Sequence, residues 1–394
     1  MSADTAEARL GGVQDFSRLY AGFSCPQEGI DGQFVEDVTV EYGREIVRRF
    51  LDRFGDELGP RYTAYVGAWT EQRGDYETVW HLSFGEVRKA MLPGHPADAR
   101  VRAAMLALQL TARGIAGRWR LDLDRPAALV CDNWLLPEAQ AVEVDSDGTQ
   151  AHMRLTTPQG RVQGVLTRGA AGWHGESGGA LAQFGPSQNR ITILPPQAVV
   201  TPGFDELRPM LAHDVDRAMA VACQGALNLI AAHAPIYQRW VERVIRHIIP
   251  LRFEKSLIRS GSDAGQPGVI HMSYDERAIV LAEMLVHEGT HQYMNLLCRL
   301  GDIDDGSDTK LYYSPVRRTD RPLSAIVVAY HAFANVLLFY RQCQQSGVDD
   351  GGYCAAEEVK LVPQLRELEQ VLKQANALTD IGRALYEPLV PRVA

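Results

Sequence analysis

Residues 275–300 read DERAIVLAEMLVHEGTHQYMNLLCRL, with no proline and a single glycine inside the run. Val280, Leu281, Met284, Leu285, Tyr293, Leu296 and Leu297 recur at helical spacing. Asp275 and Glu276 open the run, Arg299 lies in its last turn and Gly301 follows it, the charge order and stop signal of a helix. Within it stands His287-Glu288-Gly289-Thr290-His291. Histidines four apart on a helix lie one turn apart and project to the same side, so they can grip one divalent metal. Glu288 then lies beside the metal's open position. The usual chemistry of such a motif is zinc hydrolysis, with the glutamate as general base for a metal-bound water. The plain alternative is a chance match on an ordinary core helix. Two imidazoles and a carboxylate on a mostly apolar helix need partners, which favours a metal.

Around this helix the chain has an ordinary globular composition, 46% hydrophobic and 23% charged over 394 residues, enough for two domains. A formal charge of −9 argues against a nucleic-acid binder that works by neutralising phosphates. The opening MSADTAEARLGG lacks a basic-then-apolar signal, and no segment reads as membrane-spanning, so no membrane partner is expected. Cys25, Cys131, Cys223, Cys298, Cys343 and Cys354 show no CxxC spacing. Reduced thiols in a cytoplasm are the expectation.

Along the chain, residues 40–58 form a helical run with Val40, Ile46, Val47 and Phe50 as its core face, and 99–117 form a second. From about 127 to 196, short β-rich runs between Gly, Pro and Asp-Gly turns predict an antiparallel sheet. LPPQAVVTP, residues 195–203, reads as a boundary. The expected organisation is α+β. A mixed region spans 1–196, with a substrate-binding role open to it, and a mainly helical, metal-binding catalytic region spans 204–394. His81, His95, His213, His233 and His247 have no second ligand at metal spacing and are expected to be structural. QPGVIHMSYD, residues 266–275, reads as a short strand-like run leading into the motif helix, and the acidic stretch 301–310 as a solvated loop. Asp320 is expected to cap the apolar helix that begins beside Pro322.

A catalytic metal site needs a third protein ligand. The extended pattern HExxHxxGxxH fails, because Met294 and Leu297 stand at its Gly and His positions. The next glutamate after Glu288 is Glu357, and Asp302, Asp304, Asp305 and Asp308 all lie in the hydrophilic loop. His331, in the middle of the apolar run 323–343, is the better candidate, since an imidazole there needs a partner. His271 and Glu283 are weaker ones.

The runs PGVIHMSYDE (267–276), LVHEGTHQYMN (285–295), YYSPVRRTDRPL (312–323) and AYHAFANVLLFYR (329–341) together resemble the HEXXH-motif family of peptide-modification proteins. The resemblance covers about 235–343 and the closing ALTDIGRALYEPL (377–389). It implies a role in maturing ribosomally made peptides. The best-understood members resemble iron(II)- and 2-oxoglutarate-dependent peptide β-hydroxylases, which use dioxygen. It further implies His287 and His291 as metal ligands, with His331 completing the set. Tyr313, Ser314, Pro315 and Arg317 match a YSP-x-R segment, and Arg321-Pro322 a later Arg-Pro. Val316 and Arg318 depart from the family pattern but keep both matched arginines. Arg317 or Arg321 would pair with the distal carboxylate of 2-oxoglutarate, near Tyr313 and Ser314. Glu288 would then support the metal site from beside it. The rivals are a zinc-dependent peptidase and a non-catalytic peptide-binding partner in a maturation complex.

Overall fold

The computed structural model describes residues 16–26, 32–71, 76–93, 98–169, 172–186, 190–195, 198, 216–252, 260–348 and 350–394. Most of the boundary expected at 195–203, with His95 and His213, lies outside the described residues. The chain is α+β and forms two compact units, 36–292 and 1–35 with 293–394.

Helices and strands are numbered along the chain, and α1 (Phe16–Ser24) belongs to the second unit. The first unit opens with α2 (Gln33–Leu58), α3 (Pro60–Glu71), α4 (Tyr76–Val79), α5 (Leu82–Ala90) and α6 (Ala99–Ala112). Ile46, Val47, Phe50, Phe54 and Leu58 recur three or four apart on α2 and are all buried. Helix α6 is apolar around most of its circumference, and every one of its residues except Arg100 is buried.

The strands β1 (Gly117–Ala127), β4 (Ala139–Ser146), β5 (Gln150–Thr157), β6 (Gly160–Gly169) and β7 (Gly172–Gly175) form one antiparallel sheet in the order β1-β4-β5-β6-β7. On β5, Ala151, Met153 and Leu155 point into the core while Gln150, His152, Arg154 and Thr156 face out. Short β2 (Val130–Cys131), β3 (Trp134–Leu135) and β8 (Gly179–Ala180) pair beside it. The expected helix 99–117 closes five residues early, and the sheet begins ten residues before 127. The alternation RWRL explains this: Trp119 and Leu121 are buried and Arg118 and Arg120 exposed, so this stretch is a strand.

A second sheet leads into the motif helix. Strands β9 (Gln183–Phe184), β10 (Ile191–Ile193), β11 (His247–Leu251), β12 (Ser260–Ser262) and β13 (Val269–Ser273) are ordered β12-β13-β11-β10-β9. Strands β10, β11 and β13 run parallel, and β12 and β9 pair antiparallel at the two edges. All five residues of β11 are buried, the continuous burial expected of a parallel strand. Helices α7 (Asp216–His233) and α8 (Pro235–Val244) connect β10 to β11. The pairing Thr192↔His247 and Ile193↔Ile248 therefore joins chain on both sides of 196–204. The division expected there falls inside one unit, because a parallel pair needs the intervening helices as its crossover. His247 accordingly lies in a strand rather than in the helix before it.

From β13 the chain enters α9 (Ala278–Leu297), which carries the motif. The second unit then has the hairpin β14 (Tyr312–Ser314) and β15 (Thr319–Arg321), followed by α10 (Leu323–Gln345), α11 (Tyr353–Gln374), α12 (Asp380–Tyr386) and α13 (Val390–Val393). Asp320 lies in β15 opposite Tyr313, and the N-cap of α10 is Pro322 instead. The acidic loop is less free than expected. Asp305 N–H donates to Ala377 O, Thr379 N–H donates to Ile303 O, and Asp304 bridges Leu378. Contrary to the sequence expectation, α10 is long and apolar enough to cross a membrane, yet about two thirds of that stretch is buried. Its apolar length serves as a core helix of this unit.

Candidate metal-binding site

On α9 nearly every side chain is buried. The residues from 279 to 297 that are not fully buried are Glu283, His287, His291 and Asn295, a stripe at four-residue spacing along one face. The remaining faces are fixed within the first unit. Thr290 Oγ1 donates to Val286 O at 2.8 Å and receives a 3.4 Å hydrogen bond from Trp240 Nε1 on α8. Gln292 Oε1 accepts from Gly268 N–H at 3.1 Å and its Nε2 donates to Val269 O at 3.0 Å, which ties the helix to the start of β13.

The two histidines converge. Their Nε2 atoms lie 3.1 Å apart, and their rings are nearly perpendicular with centroids 4.7 Å apart. Two imidazole nitrogens bound to one ion at about 2.0–2.1 Å lie roughly 2.8–3.4 Å apart for cis or tetrahedral geometry, so this pair fits a shared metal.

Glu288 faces a different direction. It is 1% exposed, and its Oε1 and Oε2 accept from the hydroxyls of Ser260 and Ser262 at 2.7 and 2.6 Å. Strand alternation places both serines on the same side of β12. Burial alone would raise the carboxyl's pKa. The neighbouring His287 and His291 and the Ser262 and Ser260 hydrogen bonds outweigh it and hold the group below its ordinary value. The intervening Gly261 lets the His271 ring lie close, since a Cβ there would stand 2.3 Å from His271 Nε2. Burial lowers the pKa of His271, against the opposing pull of Glu288 and Asp263.

The other expected site residues belong to the second unit. His331 is fully buried, and its Nε2 donates to the carbonyls of Phe23 and Ser24 at 3.0 and 2.8 Å. One turn on, Asn335 Nδ2 donates to Ser24 O at 2.8 Å. These are the terminal carbonyls of α1, which lack partners within their own helix, so His331 and Asn335 together cap it. Among the described residues, no three His, Cys, Asp or Glu side chains gather as a ligand group. Arg317 and Arg321 are exposed on the β14–β15 hairpin, as is Tyr313. Ser314 is 1% exposed, and its hydroxyl has no hydrogen-bond partner among the described residues. The structure thus brings together His287, His291 and Glu288. It leaves the matched arginines solvated and gives the His331 imidazole carbonyl partners.

Sequence reasoning missed Ser260 and Ser262. Their signal is faint: two hydroxyls at i and i+2 in SGS, just before the readable strand 269–273. Thr290 and Gln292 were not singled out either, although polar side chains buried on an apolar helix need partners. No family model matches the chain, and no curated protein matches it.

Proposed function

We propose that this chain is an iron(II)- and 2-oxoglutarate-dependent oxygenase that hydroxylates a side chain, at its β-carbon, in a ribosomally made peptide. The reading rests on the motif resemblance, and one observation favours oxidation over hydrolysis. Both oxygens of Glu288 are engaged by serine hydroxyls in a buried position. A hydrolytic base has to take a proton from a metal-bound water and pass it on. With both oxygens turned to the β12 hydroxyls and the side chain 1% exposed, Glu288 is poorly placed for that exchange. An anion fixed beside two histidine ligands suits a supporting role.

His287 and His291 would hold the iron; the resemblance implies His331 as a third ligand, whereas its Nε2 here serves the carbonyls of Phe23 and Ser24. Iron with 2-oxoglutarate and dioxygen would supply the oxidising power, one oxygen atom entering the peptide and the other the succinate formed with carbon dioxide. Glu288 balances charge beside the ligands and limits their motion. Arg317 and Arg321 would attract the distal carboxylate of 2-oxoglutarate as solvated cations.

The test needs no substrate at first. 2-Oxoglutarate binding, followed by calorimetry without oxygen, should require iron(II) and vanish in His287→Ala. Peptides encoded by short reading frames beside the gene should then gain one oxygen atom by mass spectrometry. Zinc-dependent cleavage of such a peptide, lost in Glu288→Gln and indifferent to 2-oxoglutarate, would replace this reading with a peptidase.

A further inference from the structure

The strand that holds Glu288 is short. Strand β12 has three residues and pairs with β13 over Ser260↔Met272, Gly261↔His271 and Ser262↔Ile270 at the edge of its sheet. Three pairs at an edge give little rigidity of their own. Rigidity comes from the loop that follows, residues 263–268.

That loop is tied down along its length by the N-terminal helices of the same unit. Asp263 Oδ2 pairs with Lys89 Nζ at 2.7 Å, and Asp263 Oδ1 accepts from Gly265 N–H at 2.6 Å. Gln266 Nε2 donates to Glu86 Oε1 at 2.6 Å, and Glu86 Oε2 faces Arg102 Nε at 3.4 Å. Glu86, Arg102 and Gln266 are all fully buried. The loop backbone lies directly on Gly85, where a Cβ would stand 2.8 Å from Gln266 Cα and 2.9 Å from Gly265 O. At the loop's far end, Gly268 N–H donates to Gln292. The segment 260–268 therefore holds α9 at Glu288 and again at Gln292. These positions are one turn apart and bracket His291.

We propose that Ser260 and Ser262 are positioning residues for the His287–His291 pair, held in place through Lys89–Asp263 and Arg102–Glu86–Gln266. This rests on the reading that the pair binds a metal. A buried carboxylate without these hydroxyls would turn toward the histidines or draw in water. Either change would re-aim the imidazoles; groups bonded directly to a metal ligand commonly change affinity by about 10–100-fold, and these hydroxyls act one bond further out, at about the low end of that range. The N-terminal helices thereby gain a part in the site.

Cobalt(II), added alone to the full-length protein, is the probe, because its visible absorption reports ligand geometry. Ser260→Ala/Ser262→Ala should bind it about tenfold more weakly and with an altered spectrum. Ser260→Thr/Ser262→Thr, which keeps both hydroxyls, should restore affinity and spectrum. Leu155→Ala, a core truncation on β5, should lower stability while leaving both unchanged. If the double alanine variant fails to fold, Ser262→Ala and Ser262→Thr are compared in the same way. An alanine variant with the parent's cobalt affinity and spectrum overturns the positioning role. A parent protein that binds no cobalt overturns the metal reading itself, a separate result.

Discussion

The Nε2 atoms of His287 and His291 face each other at 3.1 Å on the one stripe of α9 that is not buried. At this distance one ring's Nε2–H can donate to the other ring's Nε2, whereas a shared cation would use both lone pairs at once. His287→Ala and His291→Ala should each abolish stoichiometric binding of iron(II) or cobalt(II) while leaving the far-ultraviolet circular dichroism unchanged. Equilibrium dialysis with metal analysis checks this, and retention of one equivalent by either variant would exclude the pair.

His331 has a different expected phenotype. Its Nε2 serves the carbonyls of Phe23 and Ser24, so His331→Ala leaves buried carbonyls short of a donor. A loss of about 1–3 kcal/mol in denaturant unfolding is expected. Unchanged stability together with lost metal binding would instead assign the imidazole to the metal.

Arg317 and Arg321 are exposed, so each should contribute only a screened attraction for 2-oxoglutarate. Arg317→Ala or Arg321→Ala should weaken its binding by no more than roughly 1 kcal/mol, or about fivefold. A hundredfold loss, read by the same calorimetry, would mean that the arginine is desolvated when the cosubstrate is bound.

Arg102 and Glu86 form a fully buried ion pair. Arg102→Leu strands a buried carboxylate and should cost about 3–5 kcal/mol in unfolding free energy. Adding Glu86→Gln removes the stranded charge and should recover part of that loss. A double variant no more stable than Arg102→Leu would show that the cost lies in packing.

His81 and His247 lie edge to face with ring centroids 4.5 Å apart, both buried. Burial pushes His247 down to about 3, with Arg246 adding to it. Burial also drives His81 well below its ordinary 6.5, with His247 and Arg113 adding to it. Both rings are thus neutral in the fold, while the unfolded chain takes up protons below about pH 6.5. Stability should be complete above pH 6.5 and fall toward pH 3, by at most about 1.4 kcal/mol per pH unit for each ring. His247→Phe should flatten that slope in urea titrations across this range, and an unchanged slope would show that the carboxylates dominate.

The sequence by itself determined the motif helix and the histidine pair. A four-residue spacing on a helix is a local property, and the apolar repeat around it needs no knowledge of distant chain. It also determined the α+β class and most strands of the antiparallel sheet, because alternation along a strand is local too; RWRL at 118–121 carries that signal just after the run read as helix. Tertiary structure alone decided what lies opposite each of these elements. The parallel pairing of β10 with β11 joins residues more than fifty apart, from either side of the boundary read at 195–203. The partners of Glu288 come from Ser260 and Ser262, and behind them stand Glu86 and Arg102, far away in sequence. His331 could be read as a buried imidazole in need of a partner, but α1 supplies the carbonyls that meet it. Composition and periodicity show that a buried polar group must be satisfied. Which group satisfies it depends on contacts between segments that carry no mark of each other.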